Sequence, residues 1–303
     1  MTKSNATLTV RSKPMTALSG STTAGQAANC GGNPFQPVVE LMKPAAVHCC
    51  NSRSNVVDGH MSRRTFPMPR MPVRRNHTDD IQLLLSKFRS EVMTAAWSFY
   101  SWKSINNVAF CDSAVYAALN RNAPTWNIIT HSLQTTFFIV LGRIFDVDAG
   151  ALSVHTFLRK CQDNISQFSL VALRQRKFQG VSGTEPSWLS DYIANAYEPR
   201  VADFRKLKKL VGPYQTRYEN IYRPVRNQVM AHAQMDSQFA GADKFTNVTI
   251  ADIQETLSFL YRLACVVEQY FFNGRNTELS DYSLHEEEVV SKDVSRLLGQ
   301  LRT

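Results

Sequence analysis

Apolar residues return at steps of three and four along most of the chain beyond residue 80. Ile81, Leu84, Leu85, Phe88, Val92, Ala95, Phe99 and Trp102 trace one stripe, the mark of an amphipathic helix. Thr78 is a good N-cap ahead of it, and Asp79 and Asp80 place carboxylates in the first turn, where the helix dipole favours them. The spacing predicts a helix from Thr78 to about Lys103 and a second over roughly residues 106–120. Asn122 then offers a cap with Pro124 in the first turn, where the missing N–H costs nothing. Trp126, Ile129, Leu133, Phe137, Val140 and Ile144 carry that third stripe until "DVDAG" from Asp146 breaks it. Core packing accounts for this aromatic face, and no cofactor is assigned to it.

Shorter amphipathic pieces follow at about 153–162 and 168–178, and "GVSGTEPSW" from Gly180 reads as a loop. Helices resume near Trp188, and Pro199 should start or kink one. After Gly212 and Pro213, the residues Tyr218, Ile221, Tyr222, Val225, Val229 and Met230 supply an apolar side. A further element begins at Thr249, whose spacing to Asp252 suits a capping box, and stops at Gly274. Its stripe is Ile250, Ile253, Leu257, Leu260, Ala264, Val267 and Phe271. A last helix over about 285–300 carries acidic residues near its start and Arg296 near its end. No alternating run long enough for a strand is present, so the fold class expected is all-α, a helical bundle spanning residues 78–303.

Residues 1–77 differ in kind. They are rich in Ser, Thr, Asn, Gly, Pro and Arg without sustained periodicity, which predicts a disordered, basic, low-complexity tail. Met61 and Met71 are alternative starts under the reading that this stretch is translated upstream of the true one. The chain's net charge of +9 is concentrated here, since residues 1–80 hold ten basic and four acidic residues. A basic arm that touches nucleic acid is the other reading of the tail. The six cysteines, at 30, 49, 50, 111, 161 and 265, show neither a CxxC pair nor Cys/His ligand spacing, so no disulfide framework and no metal site is indicated. The most apolar run, "FFIVLGRIF" from Phe137, is about half of a membrane span, and no secretory signal is evident at the start. A cytoplasmic protein without membrane contact is expected.

The chemistry concentrates in "YRPVRNQVMAHAQMD", residues 222–236, which sets Arg226 and Asn227 six positions ahead of His232. Spacing alone reads as a surface arginine and a packed histidine. Together with "AALNRNAPTWNIITHSLQTTFFIVLGRIFD" earlier in the bundle, however, "IYRPVRNQVMAHA" resembles the HEPN superfamily, specifically its abortive-infection protein U-like branch, over most of residues 79–270. The resemblance implies an α-helical and commonly dimeric domain. It also implies a metal-independent endoribonuclease of a phage-defence or toxin–antitoxin system, restrained by a cognate antitoxin or inhibitor, with no cofactor. By that resemblance Arg226 and His232 take the catalytic positions and Asn227 the polar position after the arginine. Many relatives carry a charge directly after the histidine, where this chain has Ala233. The alternative is a non-catalytic helical module that binds RNA or protein.

In RNA cleavage the substrate's own 2′-hydroxyl attacks phosphorus, so the protein has only to move protons and stabilise charge. Histidine titrates near neutrality and serves as general acid or base, and arginine forks onto phosphate oxygens. Six steps of ideal helix advance about 9 Å and turn about 240°, so Arg226 and His232 do not share a face. Two copies meeting across a two-fold axis can bring each Arg226 to the other's His232, and a homodimer with composite sites is expected, Pro224 being free to alter these angles. Gln228 lies one turn before His232 and can hold its ring. Arg200, Arg205, Lys206, Lys208, Lys209, Arg217, Arg223 and Arg226 form a basic run. Of these, Arg205, Lys208, Lys209, Arg217 and Arg223 are candidates for binding RNA phosphates, the other reading being a solvated helix face.

Overall fold

The structure is a computed structural model and describes residues 77–148, 150–179, 184–227 and 248–302. Among them all regular structure is helical, as the periodicity predicts. Helix α1 (His77–Cys111) is the spine of a bundle. Every residue of its predicted stripe is buried, with Phe88, Ala95 and Phe99 wholly enclosed. It continues past Lys103 without a break, because Ile105 and Ala109 keep the buried face going. The boundary falls at Asp112, whose carboxylate accepts from the backbone N–H groups of Ala114 and Val115 and so caps α2 (Ser113–Arg121). The break between the first two helices is therefore nearer the C-terminus than the apolar spacing suggested.

Helix α3 (Ala123–Ile144) starts where Pro124 placed it, although the Asn122 side chain makes no capping hydrogen bond. It runs antiparallel to α1. Phe137 meets Phe99 edge-on at 5.4 Å and Trp102 at 6.0 Å, and at the other end Arg143 grips Glu91 through Nε and Nη2 at 3.0 and 2.8 Å. Helices α4 (Val154–Asp163), α5 (Leu170–Phe178) and α6 (Ser187–Ala194) follow in short pieces. Ser153 and Ser169 cap the first two by accepting from backbone N–H groups three residues on. Phe157 of α4 stacks flat on Phe88 of α1 at 4.1 Å.

Helix α7 (Val201–Arg217) begins two residues after Pro199 and runs through Gly212 and Pro213, both solvent-exposed, because Phe204, Leu207 and Val211 bury its opposite face. A π-helical turn (Tyr218–Tyr222) and the short α8 (Arg223–Val225) extend it. Helix α9 (Ile250–Glu268) opens on Thr249, whose hydroxyl accepts from the Asp252 N–H at 3.0 Å, and lies antiparallel to α1, with Glu268 paired to Arg89 at 2.8 Å. Gly274 ends the π-helical continuation Gln269–Asn273 at φ +54°, the left-handed conformation that glycine adopts freely. Helix α10 (Glu286–Gly299) returns along α1, with Trp97 donating to Glu286 at 2.9 Å. No helix among the described residues is long and apolar enough to cross a membrane.

The aromatic junction of α1 with α3 sets a stability test. Replacing the fully buried Phe99 by Ala is expected to cost about 3–5 kcal/mol, against no more than about 0.5 kcal/mol for the half-exposed Leu83→Ala, both read from urea unfolding midpoints.

Candidate functional site

Pro224 shapes the local backbone around Arg226. With no N–H, and with a ring that collides with the carbonyl four residues back, it disfavours an ordinary α-turn. The turn ahead of it is widened instead, and the Arg223 N–H reaches the carbonyl of Tyr218, five residues back. One extra residue in a turn rotates the downstream side chains by about 100° relative to an uninterrupted helix. The bend expected at Pro224 thus takes the form of a π-turn. Aromatic packing locks it: Tyr218 stacks on Phe145 at 5.4 Å and 17°, and the buried Tyr222 meets Phe138 edge-on at 6.3 Å.

That rotation lays the half-buried Arg226 against α3 at Gly142. A Cβ on residue 142 would stand 2.6 Å from the Arg226 Nε and 2.7 Å from its Cδ, inside any tolerable contact. A side chain at position 142 would force the arginine out of this conformation. Nη1 donates to the Asn227 Oδ1 at 3.3 Å, while Nε is buried without a hydrogen-bond partner. No carboxylate among the described residues forms an ion pair with Arg226. A guanidinium in that condition keeps its capacity for an external oxyanion.

The Tyr218 hydroxyl lies within the same field. Burial raises its pKa; the guanidinium groups of Arg226 and then Arg223 pull against that, and Asp146 adds to the rise. The Tyr218 hydroxyl therefore stays protonated at neutral pH and is available as a donor. One turn earlier, Gln215 donates to the Phe145 carbonyl at 3.2 Å and to Glu219 at 2.8 Å. Its Oε1 faces the His155 Nε2 at 3.0 Å, so with this amide orientation the ring nitrogen carries the proton.

The basic run divides. Arg205, Lys208 and Lys209 are exposed, at steps of three and four on one face of α7, and Arg223 is exposed beyond the π-turn. Arg217 is turned inward and clasps α9 through Glu255 at 2.8 Å and Asp252 at 3.5 Å. Its charge is spent on the fold. Arg226 and Asn227 are brought together, whereas His232 and Gln228 lie outside the described residues. Gly142, Tyr218 and the pair His155–Gln215 were not singled out from the sequence for this site. Gly142 alone carried a signal, as a glycine interrupting the apolar run "FFIVLGRIF", since a glycine inside a helical pattern can mark a close approach.

Comparison with known families places residues 78–292 in a match to HEPN_AbiU2, described as AbiU2. No curated protein and no solved structure matches the chain.

The notch at Gly142 can be tested independently of activity. Gly142→Ala is expected to destabilise the protein by about 1–3 kcal/mol through overpacking. In a Gly142→Ala/Arg226→Ala double variant most of that loss should vanish, because the new methyl group no longer meets the guanidinium. Strictly additive losses in urea unfolding would show that the two residues are not in contact.

Proposed function

The chain belongs to the HEPN_AbiU2 family, an abortive-infection-associated group of HEPN domains, and on that premise we propose that it is a metal-independent endoribonuclease using Arg226 and His232. The observation that supports this most is the setting of Arg226: half-buried, seated in the space left by Gly142, next to Asn227, and without a carboxylate partner among the described residues. Structural arginines elsewhere in the bundle, such as Arg89, Arg143 and Arg217, are paired with glutamate or aspartate.

In the proposed reaction the ribose 2′-oxygen attacks the adjacent phosphorus while His232 removes its proton. Negative charge grows on the non-bridging oxygens, where the Arg226 guanidinium forks onto it. The O5′ leaving group takes a proton from water as the P–O5′ bond breaks, giving a cyclic 2′,3′-phosphate and a free 5′-hydroxyl, and the proton held by His232 returns to solvent. Asn227 holds the guanidinium plane through its Oδ1. Two chains docked about a two-fold axis would pair the Arg226 of one with the His232 of the other. The exposed Arg205, Lys208, Lys209 and Arg223 would draw the RNA backbone in, making binding salt-dependent. Action in the cytoplasm as part of a phage-defence or toxin–antitoxin system, under restraint by an inhibitor protein, completes the proposal.

Cleavage of a generic RNA in EDTA is the direct test. His232→Ala and Arg226→Ala should each lower the rate by roughly 10²–10⁴, and undiminished cleavage in either would remove that residue from the mechanism. A wild-type protein that binds RNA but never cuts it would instead identify a helical RNA-binding module.

Sharing of the site between subunits has its own signature. Mixing the two inactive single variants, with exchange of subunits verified, should restore about a quarter of wild-type activity, since half of the exchanged dimers then hold one intact Arg226/His232 pair out of two. No recovery would place both residues of each site in one chain.

A further inference from the structure

The π-turn ahead of Arg226 also decides which side chain shares its face. Eight steps of ordinary α-helix turn about 800°, which would leave residue 226 about 80° out of register with residue 218. The extra residue held in the π-turn Tyr218–Tyr222 takes back about 100°. Tyr218 and Arg226 therefore project from one face to within about 20°, and the arginine leans back toward the helix N-terminus, where the phenol lies. Contacts with the end of α3 agree. Tyr218 stacks on Phe145 at 5.4 Å, and Arg226 lies against Gly142, three residues earlier on that helix.

An account of donors and acceptors shows what the phenol lacks. A guanidinium can only donate, and Arg226 acts on the Tyr218 hydroxyl both by hydrogen bonding and by charge, Arg223 by charge alone. The phenolic oxygen is thus the acceptor toward Arg226, and its own O–H still needs one. The hydroxyls of Tyr192, Tyr197 and Tyr214 each find such an acceptor in a carbonyl or carboxylate of the chain. Tyr218 finds none among the described residues. Asp146 is felt through its charge, and its Oδ1 accepts from the Asp148 N–H at 3.0 Å. The Asn227 Oδ1 is engaged by Arg226 at 3.3 Å. The Tyr222 hydroxyl also lacks a partner, but that residue is sealed in the core at 0% exposure, whereas 4% of Tyr218 is open to solvent.

A phosphate oxygen drawn to Arg226 would supply the missing acceptor. It is anionic, it lies on the side where the two cations converge, and it can take an O–H and an N–H together. A neutral donor fixed by stacking costs no reorganisation when charge grows on that oxygen.

We propose that Tyr218 is a second phosphate-binding residue of the Arg226 site, its O–H donating to the non-bridging oxygen that faces the guanidinium. This rests on the ribonuclease reading for its role in catalysis; the phosphate contact itself does not require cleavage.

The test combines cleavage with binding, on the full chain in EDTA. Tyr218→Phe keeps the ring that stacks on Phe145, and an unchanged urea midpoint would establish that it folds. It should lower kcat on RNA roughly 10²–10³-fold and leave KM within about threefold. Sulfur in place of one non-bridging oxygen accepts hydrogen bonds poorly, so one of the two phosphorothioate diastereomers should be cut slowly by wild type, with a smaller penalty in Tyr218→Phe. An unchanged penalty would overturn the direct contact. Affinity for a 2′-O-methyl oligonucleotide, which cannot be cut, should fall roughly tenfold in Tyr218→Phe, and a further loss should appear when the same change is made in an Arg226→Ala chain. If the loss disappears in that chain, Tyr218 only positions the guanidinium and the proposal falls. Wild-type kcat in Tyr218→Phe would overturn the proposal and leave the ribonuclease reading in place. If the wild-type chain cuts no RNA, that reading fails and the oligonucleotide decides: weaker binding by Tyr218→Phe retains the phosphate contact, and equal binding removes it.

Discussion

A 35-residue helix cannot bury a long apolar stripe by itself, and the demand to cover α1 organises the whole bundle. Its stripe widens into a face as Ala96 and Tyr100 join Phe99 and Trp102 in the interior. Three long partners are recruited to cover it: α3 and α9 antiparallel, α10 parallel. Aromatic contacts settle the register on α3, where Phe137 reaches both Phe99 and Trp102. Ion pairs then mark the far ends, Glu91 to Arg143 and Arg89 to Glu268. Partly exposed pairs of this kind add little stability; they specify which ends meet. With α3 fixed in this way, Gly142 has a fixed position too.

The second constraint acts from the other side. Pro224 excludes a regular turn, the backbone answers with a π-turn, and the resulting rotation is held because Tyr218, Tyr222 and Val225 are all buried. Arg226 arrives at α3 as a consequence of core packing, without any attraction from a carboxylate. A proline, a buried pair of tyrosines and a glycine on a different helix thus place one guanidinium. Each is ordinary alone, and the placement needs all of them.

The sequence made the regular part of this architecture readable because burial on a helix has a period. The stripes on α1 and α9, the cap at Thr249 and the stop at Gly274 all follow from residue type and spacing, and they stand where expected. Features that depend on competition between local and distant terms were less readable. The end of α1 moved to Asp112 because Ile105 and Ala109 found partners that the local pattern could not reveal. Gly212 and Pro213 sit inside α7 because three buried side chains outweigh two poor helix formers on its wet face. In the candidate site Arg226 and Asn227 were legible through resemblance. Gly142 stood out only as a glycine in an apolar run, since a close approach between helices 84 positions apart does not name its partner in either segment.

The two arginines that flank the π-turn show how one basic run comes to hold two kinds of charge. Arg217 lies against Tyr214 and is paired with Glu255 and Asp252, so removing it would leave carboxylates without their counterion and weaken the hold of α7 on α9. Arg226 is half-buried, has an unpartnered Nε and forms no ion pair among the described residues, an arrangement that costs stability. The buried Nε groups of Arg176 and Arg262 also have no hydrogen-bond partner, so what sets Arg226 apart is its seat against Gly142 beside Asn227. An unneutralised cation held in that way would suit the anionic substrate proposed for this site, and the widened turn at Pro224 is the local device that holds it there.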